Sequence, residues 1–233
     1  MKIGIYFGLV ITFALVVMGA GCQPSSNVNT NSSMSQNAMN RNSMTMNGNS
    51  MPMNSSMPMN SSMPMNDSAM KSDRDAASAP YDLQFIDTMS AHHQSAIGMA
   101  KMVDGKTQNT ELKKFAGQII ADQGKEIAQM KEWRGQWYAG KPAAKNMEMS
   151  GMMDSMKMMM GDGMKKMETA SGKNFDFMFV DMMTPHHAGA VTMAKEALSK
   201  AEHPEIKTLA NNIIKAQDAE IKMMADWKAK WSR

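Results

Sequence analysis

The chain has 233 residues and a formal net charge of +3, and 33 of its residues are Met against a single Cys. One Cys excludes an internal disulfide, and its place at Cys22, ahead of all helical patterning, excludes a Cys-ligated zinc, an iron–sulfur cluster or a blue-copper centre in the folded part. The charge is thinly spread, with no basic cluster interleaved with aromatics, so nucleic acid is not an expected partner.

Met1 to Cys22 reads as an export signal. Lys2 gives a positive start, Ile3 to Val17 is mostly apolar, and "MGAGC" follows. A small-residue run ending in Cys resembles a bacterial lipoprotein signal, in which Cys22 would carry the lipid and tether the protein to a membrane. Gly19 stands where such signals usually have Leu, and a plain secretory signal cut nearby is the alternative. The run is short for a membrane-spanning anchor.

Residues 23–79 are built from Ser, Asn, Met and Pro, with "MPM" at Met51, Met57 and Met63. This composition cannot bury a core and predicts a disordered tether. Met has no packing role in such a segment. Its Met-x-Met pairs suit a loose trap for a soft ion, with low-complexity drift as the plainer reading.

The remainder is a tandem duplication at an offset of 94 residues. Tyr81–Trp137 aligns with Phe175–Trp231 without a gap, and 22 of the 57 paired positions are identical. Each copy predicts a helical hairpin. The helices run from about Tyr81 to Val103 and Thr110 to Trp137, then from about Phe175 to Lys200 and Pro204 to Trp231. With residues 80–140 and 173–233 as the two hairpins, the expected fold is an all-α four-helix bundle. Residues 141–172 form a Met-rich connector, readable as a short amphipathic helix or a mobile flap.

The copies repeat "MSAHHQSAIGMA" and "MTPHHAGAVTMA". On a helical wheel Phe85, Met89, Ala96, Ala100 and Val103 form the stripe that must be buried, and His92 and His93 straddle it. Met89 sits at i−3 and i−4 from them, the spacing at which helical side chains meet. Met183, His186 and His187 repeat the cluster. Met99 and Met193, two turns on, read as guards of its entrance. On the second helix of each copy Gln123 and Gln217 interrupt the apolar face, and Glu126 and Glu220 lie at its edge. Buried polar groups need partners, so these four are candidates to orient the histidines or to reach a metal from outside. One His on an apolar face is usually a satisfied core residue; two adjacent ones, twice, each beside Met, favour metal binding. Met130, Met224 and the paired tryptophans read as packing, His203 as surface, and Asp87 and Asp181 as outward-facing.

"DTMSAHHQSAIGMA" and "DMMTPHHAGAVTMA", each followed by a helix with "Q..EI..M..W", resemble the bacterial domain of unknown function 305 family, which includes CopM-type copper-binding proteins. The resemblance spans about Tyr81 to Trp231. It implies a ferritin-like bundle, export from the cytoplasm, copper binding or tolerance, and a site at His92, His93, His186 and His187 with neighbouring Met. Thioether with imidazole suits Cu(I), imidazole with carboxylate also holds Cu(II), and silver is a further candidate. The expected protein is therefore a periplasmic or cell-surface copper metallochaperone, buffer or resistance factor rather than an enzyme. Di-iron bundles carry Glu-x-x-His, which is absent from this chain. A cuprous oxidase and a purely structural surface lipoprotein are the alternatives.

Overall fold

The computed structural model describes residues 71–157, 159–160 and 162–232. The export signal, Cys22 and all but the last residues of the tether lie outside them. Among the described residues there are six α-helices after a 3-10 turn at Ala76–Ser78: α1 (Tyr81–Lys106), α2 (Thr110–Trp137), α3 (Met152–Met156), α4 (Asp162–Thr169), α5 (Gly172–Lys200) and α6 (Pro204–Trp231). None is long and apolar enough to cross a membrane. The long helices form two hairpins, α1–α2 and α5–α6, joined through an α1–α5 contact to give the expected four-helix bundle.

Local chemistry sets the helix ends. Asn109 caps α2, its Oδ1 accepting from the backbone N–H of Glu111 and Leu112 at 3.1 and 3.2 Å. Pro204 opens α6, where a missing N–H costs nothing. The turn that leads into α6 is held from the other hairpin. Asp82 of α1 is buried, and its carboxylate accepts from the backbone N–H of Glu202 and His203 and lies 2.6 Å from His203 Nδ1. Asp176, its equivalent on α5, takes the side-chain N–H of Asn109 at 3.2 Å. Two reciprocal clasps therefore tie the hairpins together. The reading of His203 as a surface residue is corrected. Its ring is paired with Asp82 and stacks on Trp137 at 3.8 Å between centroids.

The core between the hairpins holds Phe85, Met89, Ala96, Leu112, Ile119, Phe175, Phe179, Met183 and Ile213. Trp133 stacks on Trp137 and Trp227 on Trp231, as packing pairs. Met130 and Met224 are wholly buried; the Ser90 hydroxyl donates to Met130 sulfur at 3.8 Å, and Thr184 Oγ1, which donates to the Val180 carbonyl at 2.7 Å, lies 3.8 Å from Met224 sulfur.

The connector is a packed element. Its first stretch is pinned to α1. Asp87 accepts from Ala144 N–H and from Arg134, Thr88 takes Asn146 N–H at 2.8 Å, and Gln84 takes the Asn146 amide at 2.8 Å. Asp87 is thus an anchor. Met147, Met149, Met152, Met156, Met159 and Met167 are buried, while Met153 and Met160 are about half exposed. Most of the Met here fills core space, a task the flexible thioether chain suits.

Candidate metal centre

The α1–α5 contact brings the two histidine pairs together. His92 and His186, 94 positions apart, lie with ring centroids 3.8 Å apart and planes inclined by 38°. His93 and His187 flank them, each 6.3 Å from its neighbour. All four imidazoles are fully buried, together with Met89 and Met183. The duplicated motif therefore builds one array across the bundle, with two inner and two outer rings.

Each ring has an oxygen near Nε2. On the outer rings it is a carboxylate: Glu126 of α2 lies 2.8 Å from His93, and Glu220 of α6 lies 2.8 Å from His187. These are ion-pair distances without hydrogen-bond alignment, so both Nε2 atoms still lack a well-directed partner. On the inner rings it is a hydroxyl. Ser95 Oγ lies 2.6 Å from His186 Nε2, and Ser155 Oγ lies 3.0 Å from His92 Nε2. Met156 contributes a sulfur 3.9 Å from Ser95 Oγ. The Nδ1 atoms of all four rings are buried without a partner, as are the Oε1 atoms of Gln123 and Gln217.

Burial dominates the electrostatics. It holds His92 well below the ordinary histidine range, reinforced by His186, His93 and His187. It does the same for His186, with His187 and His93 adding to it and a hydrogen bond to the His92 backbone working the other way. Both inner rings are therefore neutral at neutral pH and keep a lone pair for a ligand. An apolar core containing neutral imidazoles, unpaired acceptors and thioether sulfur is chemically suited to a soft cation. Among the described residues no three His, Cys, Asp or Glu side chains gather closely enough to hold an ion by themselves. A metal here needs thioether sulfur or a small side-chain rotation.

The profile of the family described as Domain of unknown function (DUF305) matches residues 82–228. The chain belongs to the DUF305 family. Among solved structures, CopM in its Cu(I)-bound form is 39% identical, over 64% of this chain and 96% of that one, with a TM-score of 0.53. CopM is also known in Ag-bound, Cu(II)-bound and apo forms. A DUF305 protein of Streptomyces coelicolor assigned as secreted is 30% identical over 66% of this chain and 93% of its own, with a TM-score of 0.58. A DUF305 fragment from Deinococcus radiodurans is 26% identical over 65% and 97%, with a TM-score of 0.57. No match is found among curated proteins.

In this DUF305 chain the structure gathers His92, His93, His186 and His187 into one array and sets Glu126 and Glu220 against its outer rings. Gln123 and Gln217 are buried one turn earlier on the same helices. Met99 and Met193 are wholly buried on α1 and α5.

Sequence reasoning missed Ser95, Ser155, Gly151 and Gly189. Ser95 corresponds to Gly189 at the 94-residue offset, so only one copy carries the hydroxyl. Helix α3 fills the gap. A Cβ on Gly189 would lie 2.3 Å from Ser155 Cβ and 2.4 Å from Gly151 O, distances that real side chains do not tolerate. Gly151, at φ +84, would meet Gly189 O at 2.5 Å with a Cβ of its own. Two glycines thus let α3 dock directly on α5 and deliver Ser155 to His92. Ser95/Gly189 is one of six mismatches between the two twelve-residue motifs, so the sequence alone did not single it out.

Proposed function

We propose that this DUF305 chain is an extracytoplasmic copper-binding protein, a metallochaperone, buffer or resistance factor, that carries copper in the core of its bundle. The cargo is Cu(I), with Cu(II) and silver as further ions of suitable chemistry. His92, His93, His186 and His187 supply the nitrogen donors and Met89, Met183 and Met156 the nearby sulfur, with Met99 and Met193 in the surrounding core. Glu126, Glu220, Gln123 and Gln217 act from outside the first ring of donors. The observation that carries the reading is the close placement of His92 and His186, neutral and with unpartnered Nδ1, in a buried thioether-rich core. The likeness to CopM, solved with Cu(I), Cu(II) and Ag, supports the same class of cargo.

Export is supported by the N-terminal signal pattern and by the secreted assignment of the Streptomyces relative. Lipidation of Cys22 would anchor the chain to a membrane, and the Met-x-Met tether would collect soft ions loosely for the bundle. No catalytic role is assigned. Metal analysis of protein purified from copper-fed cells tests the reading. Bound copper at one or more equivalents is expected, and metal-free protein overturns it. Turnover of Cu(I) with oxygen would favour a cuprous oxidase instead.

A further inference from the structure

The four core imidazoles share a pattern. In every one, Nε2 faces an oxygen and Nδ1 faces no partner. The two hydroxyls are not neutral choices. Ser95 Oγ lies 2.7 Å from the carbonyl of His92, and Ser155 Oγ lies 2.7 Å from the carbonyl of Met152. A hydroxyl has one proton. Given to that carbonyl three residues back, it leaves the oxygen free only to accept. The imidazole it meets must then donate from Nε2–H. The outer rings reach the same state by another route: a carboxylate can only accept, so a small turn of either ring that aligns Nε2 on the Glu126 or Glu220 oxygen 2.8 Å away requires the proton on Nε2.

We infer that Ser95, Ser155, Glu126 and Glu220 are positioning residues that hold all four histidines as Nε2–H tautomers, so that cargo is taken through Nδ1. This rests on the metal-binding reading above and specifies its donor atom. It also explains why a connector helix is built into the site. Ser95 serves His186 from within the bundle. The equivalent service to His92 would come from position 189, which is Gly, and Ser155 supplies it from α3. The site is therefore completed by three elements, α1, α5 and α3, with the outer rings held by α2 and α6. Metal-binding histidines commonly have their second nitrogen fixed in this way by an oxygen acceptor, which sets ring orientation and donor strength.

The test is histidine nitrogen and ring-carbon NMR of the full chain at neutral pH, without metal and with Ag(I) added. Expected without metal are four buried imidazoles with protonated Nε2. Ag(I) should then perturb their Nδ1 and leave the Nε2–H signals in place. Ser155→Ala should release the tautomer of His92 while His186 keeps its own, and Ser95→Ala should do the reverse. Each should weaken Ag(I) binding about 10–100-fold, the usual cost of losing such a partner. Glu126→Gln, which retains an oxygen acceptor, should keep the His93 tautomer. Ag(I) perturbation at Nε2, or Nδ1–H tautomers without metal, overturns the assignment and leaves the proposed function standing. Nε2–H tautomers with no imidazole response to Ag(I) overturn the proposed function and the donor assignment with it.

Discussion

His92 and His186 stand ring to ring at 3.8 Å, although each is packed within its own hairpin and 94 residues separate them. The duplication therefore brings two copies of one motif into a single cluster. On the metal-binding reading proposed above, an ion held by one ring would be within reach of the other. Removing either should cost nearly as much as removing both, because the two act as a unit. Ag(I) competition against a chelator for His92→Ala, His186→Ala and the double variant measures this. Strongly non-additive losses are expected, and additive ones would indicate two independent sites.

Gly189→Ala should unseat α3. The new Cβ would overlap Ser155 and the Gly151 carbonyl, and α3 has to move because the α5 backbone cannot. The expected destabilisation is about 1–3 kcal/mol, the usual cost of overpacking. Urea denaturation reads the loss, and hydrogen exchange should show α3 losing protection before α5.

Asp82→Ala should loosen one clasp between the hairpins. It removes the acceptor for two backbone N–H groups and the partner of His203. Removing the acceptor of such hydrogen bonds typically costs about 1–3 kcal/mol, and because Glu202 is exposed and water can replace the carboxylate at its N–H, a value near the lower end is expected. Thermal denaturation checks it. Lys207→Ala on α6, which has no part in either clasp, is the control.

Acid should weaken the metal-free protein through the inner rings. Burial holds His92 and His186 below the ordinary range, whereas in the unfolded chain each titrates near ~6.5. Below that pH the unfolded state binds protons that the folded state refuses. Stability from these rings is thus complete above about pH 6.5 and falls as pH drops toward their lower folded values. Urea midpoints at pH 7.5, 6 and 5 should decline in the wild type and decline less in His92→Leu/His186→Leu. Bound Ag(I) should shift the decline to lower pH, because ligation requires the deprotonated ring.

Much of this was legible in the sequence because the duplication repeats its own signals. Pro204 marks a helix start, and the Met89/His92/His93 spacing fixes a buried face whatever the tertiary arrangement. The start of α5 at Gly172 rather than Phe175 was not legible, because Gly172, Lys173 and Asn174 carry no apolar periodicity. The meeting of His92 with His186 was not legible, since it depends on how two hairpins pack. Nor was the pairing of His203 with Asp82, a contact between side chains 121 residues apart. The connector's fold was hidden by a run of Met that suits core, ligand and surface alike. Its place is set by two glycines whose role is visible only once α3 and α5 touch.

The most direct measurement is Cu(I) competition against a chelator of known affinity, using the full chain and its His92→Ala/His93→Ala/His186→Ala/His187→Ala variant, with circular dichroism alongside. The array of buried imidazoles predicts that the variant keeps its helicity and loses the tight component of binding, retaining only weak sites in the Met-rich segments. A helical variant that binds Cu(I) with wild-type affinity would contradict the account.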